Sequence, residues 1–146
     1  MSNVFHTNIE DETINNTCYR KVLSTTNNQQ LVLMSLNPKE DIDFEIHPNN
    51  DQFIRIEKGT GIALIGKNKE IRYDLSDGMI IIIPANTWHQ IINTSDTDSM
   101  KLYTIYSPPH HPAGRIDITK PFIQDGGTYK SKYQKYKSKY LALKRL

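Results

Sequence analysis

Only one cysteine, Cys18, occurs in the 146 residues of the chain. A lone thiol makes no internal disulfide, which excludes a disulfide-stapled secreted scaffold and fits a reducing compartment. Long apolar runs are also missing. The longest, Met79 to Ile83, is strand-sized and far below the ~20 residues of a membrane-spanning helix. No basic-then-apolar segment at the start reads as a signal peptide. These absences lead to the expectation of a soluble, cytoplasmic protein. Helical periodicity is scarce too: no stretch of the body sustains a 3.6-residue repeat. Apolar content is low at 37%, but the polar excess sits at the two ends. A chain of this size buries roughly 70% of its unfolded surface, so one domain needs no staple.

Acid is absent from residues 129–146, where seven bases cluster (Lys130, Lys132, Lys135, Lys137, Lys139, Lys144, Arg145). The rest of the chain holds eleven bases against sixteen acids. The net charge of +2 therefore joins an acidic body to a basic tail, and the overall balance says little about partners. Within the tail, Tyr129, Tyr133, Tyr136, Tyr140 and Leu143 fall at alternating spacings of four and three. That is one apolar stripe of a helix with lysines on its other faces. The favoured reading is a short C-terminal helix that packs on the body or self-associates. A nucleic-acid contact through tyrosines and lysines, and a solvated tail, are the alternatives.

What is present in the body is a series of short strands. Leu31–Leu36, Asp43–His47, Gln52–Glu57, Ile62–Ile65, Ile71–Leu75, Met79–Ile83, Trp88–Asn93 and Met100–Tyr106 are separated by turn residues such as Asn37-Pro38 and Lys58-Gly59. Tyr19–Leu23 reads as an edge strand. Met79 and its four isoleucines are expected to be buried on both faces and to anchor the core. Such regular, closely spaced strands indicate an all-β sandwich or barrel. The expected organisation is a loosely ordered arm (1–16), the β domain (17–121), and a linker with the basic tail (122–146).

Two stretches carry chemistry. In Glu45-Ile46-His47 the acid and the imidazole lie two apart, on one face of a strand. His89 follows some forty residues later. Two histidines and a carboxylate on neighbouring strands suit Fe(II), with Mn, Ni, Cu or Zn also served by these donors. Gln52 would add a neutral carbonyl oxygen, or else hydrogen-bond His47 or Glu45 and orient it. The metal ligands expected are thus Glu45, His47, Gln52 and His89.

These stretches resemble the two motifs of the cupin superfamily. The first motif runs Gly, five residues, His-x-His, three or four residues, Glu, six residues, Gly. Here Glu45-x-His47 is followed by Gln52 and, after six intervening residues, by Gly59. The second runs Gly, five residues, Pro-x-Gly, two residues, His, three residues, Asn. Gly78, Pro84-Ala85-Asn86, His89 and Asn93 keep that spacing throughout. The departures are Glu45 for a histidine, Gln52 for the glutamate and Asn86 for a glycine. Residues 19–115 are more closely similar to small bacterial single-domain cupins labelled mannose-6-phosphate-isomerase-like. The Lys/Tyr tail resembles tails of giant DNA virus proteins, which adds the host cell of such a virus as an expected location. The resemblance implies a jelly-roll barrel (a double-stranded β-helix), one divalent transition metal, a small polar or anionic ligand, and a homodimer of the RmlC-like kind. It implies sugar-phosphate isomerase-like or oxygenase-like chemistry, or a non-catalytic sensor or structural module; no catalytic residue is assigned.

Other residues have plainer expected roles. His110 and His111 read as loop residues in the proline-rich segment 107–127 rather than ligands. Trp88 should face away from His89. Tyr103 and Tyr106 fall on opposite faces, so one points inward. Arg55 and Lys101 read as an outward solvated face.

Overall fold

The computed structural model describes residues 3–122. The linker beyond Phe122 and the basic tail with its expected helix lie outside the described residues. A short helix α1 (Ile9–Asn15) precedes ten strands: β1 (Arg20–Thr25), β2 (Gln30–Leu36), β3 (Asp41–Glu45), β4 (Asp51–Lys58), β5 (Thr60–Ile65), β6 (Ile71–Ser76), β7 (Ile80–Ile83), β8 (His89–Asn93), β9 (Met100–Ser107) and β10 (Ile116–Asp117). All pairings are antiparallel. A six-stranded sheet runs β10-β1-β2-β9-β4-β7, and a four-stranded sheet runs β3-β8-β5-β6.

The strands form where alternation is strong. β8 and β9 bury every second residue, as strands with one face on a core do. Val32, Met34, Ile54, Ile56, Ile91, Met100 and Leu102 meet between the two sheets. β2 is buried along most of its length because its other face is covered as well. That cover is α1, which packs on β2, β4 and β9.

Residues 9–15 thus correct the expectation of a loosely ordered arm. Asn8 caps the helix by accepting from Asp11 N at 3.0 Å, and Glu10, Asp11 and Glu12 place negative charge in its first turn. Thr13, on the inner face of the helix, is fully buried. Lys101, expected to be solvated, instead ties the helix down: its Nζ donates to Asn16 O at 2.7 Å and Ser35 Oγ at 2.8 Å. Arg55, on the same outer face, pairs with Glu57 at 2.8 Å.

A second correction concerns the isoleucine run. β7 is an edge strand, paired with β4 on one side. Ile83 is 2% exposed, whereas Ile80 and Ile82 are 49% and 62% exposed. Only one face of this strand meets the core, so it alternates rather than being buried on both faces. Among the described residues no helix is long and apolar enough to cross a membrane.

Candidate metal centre

The strand register brings the expected donors together. Glu45 at the end of β3 pairs directly with His89 at the start of β8, so their side chains share a face. His47 follows two residues after Glu45. Asn86 locks the two stretches to each other: its N–H donates to His47 O at 2.8 Å. Asn86 has a φ of +63°, the left-handed conformation that favours glycine and that asparagine tolerates. That accounts physically for asparagine standing where the motif has glycine. Asn93, fully buried, holds the far end of β8 by donating to the carbonyls of Leu36, Asn37 and Asp98.

The ligand atoms of Glu45, His47 and His89 lie within 4.8 Å of one another. Glu45 Oε1 accepts from His47 Nε2 at 3.0 Å and stands 3.8 Å from His89 Nε2. Donors bound at about 2.1 Å to one ion stand roughly 3–3.5 Å apart, so the Glu45–His47 spacing already suits a transition metal and the wider His89 spacing would close by a fraction of an ångström or more on binding. His89 is nearly fully buried, and its Nδ1 donates to Thr87 O at 2.8 Å. That bond fixes the tautomer and leaves a bare lone pair on Nε2. This Nε2 is buried without a hydrogen-bond partner, an arrangement that costs free energy unless something occupies the lone pair. Burial holds the His89 pKa below its ordinary value, which the Thr87 bond and Glu45 only partly offset. Burial alone would raise Glu45. The hydrogen bond from His47 and the nearby imidazoles of His47, His89 and His110 outweigh it, and the carboxyl sits below its usual value. Both residues are therefore in the protonation state a metal requires.

Gln52 stands on β4, in the opposite sheet. Its Nε2 donates to Thr104 Oγ1 at 3.0 Å and Tyr106 OH at 3.2 Å, so its amide bonds reach neither His47 nor Glu45 directly. Its Oε1 is buried and accepts from nothing. That leaves its oxygen without a partner, and the donors the fold gathers for a cation are two imidazoles and one carboxylate, those of His47, His89 and Glu45. Tyr106 is the inward tyrosine, edge-on to His47 at 5.5 Å. Tyr103 packs outside on Phe53.

Above the triad opens a cleft of about 460 Å³ lined by Glu45, His47, Phe44, Trp88 and His110, and by residues from both ends of the chain. Trp88 stacks on Phe44 at 4.9 Å, one residue out of phase with the ligands. His110 is closer to the donors than a loop assignment suggests, with its ring 4.3 Å from that of His47. Gln30 holds it there, since Gln30 Oε1 accepts from the backbone N–H groups of His110 and His111 and Gln30 Nε2 donates to His111 O. His110 is exposed on one side, but desolvation where its ring packs on His47 lowers its pKa to about 4, and burial lowers that of the half-buried His111 to about 3, so both rings are neutral near pH 7. Arg20 and Arg115 complete one wall. Sequence spacing carries no signal for either, because only the β1–β10 pairing makes them neighbours.

The Cupin domain family profile matches residues 32–106. A protein of Acanthamoeba polyphaga mimivirus is 59% identical over 97% of this chain and 91% of its own length. The YrkC protein of Bacillus subtilis is 47% identical over 80% of this chain and 63% of its own length. A crystal structure of a Bacillus halodurans protein superposes with a TM-score of 0.76 at 44% identity, covering 79% of this chain and 89% of that one. A Klebsiella pneumoniae protein with a double-stranded β-helix domain has a TM-score of 0.60 at 20% identity, over 82% and 93% of the two chains, a likeness of fold. With the antiparallel two-sheet fold, the two motifs and these relatives agreeing, the chain belongs to the cupin family.

Proposed function

We propose that the protein is a metal-binding cupin whose cleft takes a small polar or anionic molecule beside one divalent transition metal (Fe, Mn, Ni or Zn). One observation carries this reading: the bare, buried Nε2 of His89 beside Glu45 and His47. When bound, the metal would supply Lewis-acid polarisation or activation of water or O₂, as sugar-phosphate isomerisation or oxygenation would require. The protein's own groups do the rest. The Thr87 carbonyl fixes the His89 tautomer, Tyr106 offers a neutral hydroxyl behind His47, and Phe44 and Trp88 keep that side of the cleft apolar. Elemental analysis of protein purified without chelators is the test. About one transition metal per chain is expected, and its loss in His89→Ala; wild type with no metal overturns the reading. Thermal-shift screening with sugar phosphates and small acids then separates enzyme from sensor, since stabilisation without turnover favours the non-catalytic role.

The proposed setting of this chain is the cytoplasm, in a host cell if it is a large DNA virus protein; the lone Cys18 and the mimivirus relative support that reading. The proposed assembly is a homodimer, supported by the exposed apolar residues along β6 and β7.

A further inference from the structure

Charge in and next to the cleft wall is unevenly spent. Lys120 is engaged by two acids, at 2.6 Å from Asp41 and 2.7 Å from Asp43. Glu45 is engaged by the histidines. Arg20 and Arg115 differ, because both reach the same oxygen of one acid: Arg20 Nη1 lies 2.6 Å and Arg115 Nε 3.0 Å from Asp117 Oδ2. Among the described residues Asp117 is the carboxylate for both, so the pair retains one positive charge. Arg20 with Asp117 alone already forms a neutral pair across the β1–β10 register. Arg115, with a third of its side chain exposed, therefore adds a second guanidinium that the strand pairing does not need. Both guanidiniums lie in the cleft that holds Glu45 and His47.

We propose that Arg115, supported by Arg20, recognises an anionic oxygen group, a carboxylate or a phosphate, on the molecule the cleft binds. A guanidinium presents five donors in a planar fork matched to either group. Two of them over one carboxylate leave most of those donors free. Phe44 and Trp88 line the same cleft, so the ligand class is a small organic anion with an apolar portion. Cleft volumes of this order hold molecules of metabolite size. The proposal rests on reading the cleft as a ligand site and gives that ligand its charge.

Trp88 is the single tryptophan of the chain and lines the cleft, which makes its fluorescence the probe. The full-length protein loaded with Zn²⁺ is titrated with malonate, inorganic phosphate and, as a neutral control, glycerol. A saturating change with malonate or phosphate and none with glycerol is expected, and the tighter of the two identifies the group. Arg115→Gln should weaken that anion by about tenfold or more with zinc content and circular dichroism unchanged, and Arg115→Lys should recover part of the loss. Equal affinity in Arg115→Gln and wild type, or no response of wild type to either anion at millimolar concentration, overturns the proposal. The two readings fail separately. Wild type without metal sinks the metal centre, while the Arg115 comparison still runs on metal-free protein. A metal-loaded protein indifferent to Arg115 sinks only the anion site.

Discussion

Glu45 is the only formal negative charge among the four ligands expected from sequence, and Gln52 would contribute at most a neutral oxygen. Glu45→Gln keeps the side-chain size and removes that charge. It should lower metal affinity by at least ~10–100-fold, the cost seen even for groups that only support a ligand, as measured by competition against a chromogenic chelator. Unchanged affinity would remove the carboxylate from the site. A pH effect belongs to His111. Its folded pKa is lowered to about 3, first by burial and then by Arg20, against an ordinary value near 6.5. The unfolded chain therefore takes up a proton as pH falls through 6.5 while the folded chain does not. Stability from this group is full above pH 6.5 and is lost on acidification, by at most about 1.4 kcal/mol per pH unit. Urea midpoints should drop between pH 7 and pH 5, and His111→Asn should flatten the drop; identical profiles would refute the assignment. The grouping of Glu45, His47 and His89 was legible in sequence through motif spacing; the strand reading was not what placed His47, since β3 ends at Glu45 and His47 lies two residues past it. His110 and Arg115 were not legible, because a buried glutamine and a two-strand pairing far along the chain place them.

At the scale of elements, β7 shows what a run of apolar residues does and does not determine. Five such residues in a row specify a strand, and Ile83 fills the core as expected. Whether the alternate side chains are covered depends on a partner for the outer face, which the residues of the strand do not encode. The two positions should therefore respond differently. Ile83→Ala should cost about 2–5 kcal/mol, while Ile82→Ala should stay within about 0.5 kcal/mol, both read from denaturant midpoints of the metal-free protein at dilutions where it is monomeric. Equal losses would mean that the outer face is packed. α1 illustrates the opposite problem. Two turns are too short to show a period, so its signal lay only in Asn8 and the acids after it. The part that secures it, Lys101 on β9, is some ninety residues away. Lys101→Met should loosen residues 9–16, visible as faster amide exchange there with the barrel strands unaffected.

At the scale of the whole molecule, both sheets end on the same side in strands with a free edge, β7 in one and β6 in the other. Ile71, Tyr73, Met79, Ile80 and Ile82 are all about half exposed or more there. β6, β7 and the turn between them line an apolar groove of about 430 Å³. Long apolar edges left in water invite strand pairing, and natural proteins blunt them with charge unless they are used. Here the charges on β6 itself, Arg72 and Asp74, form a self-neutralising exposed pair and leave the isoleucines bare. A second copy of the same surface would cover them about a twofold axis, which is the commonest symmetry for such contacts. Light scattering should give a dimer mass for the full chain and a monomer mass for Ile80→Lys/Ile82→Lys, since each lysine would be drawn out of water by the contact. Removing residues 129–146 separates this route from association through the tyrosine stripe: the dimer should persist if the edge makes it and dissociate if the tail does. Wild type that stays monomeric at high concentration would leave the β7 isoleucines without the role assigned to them.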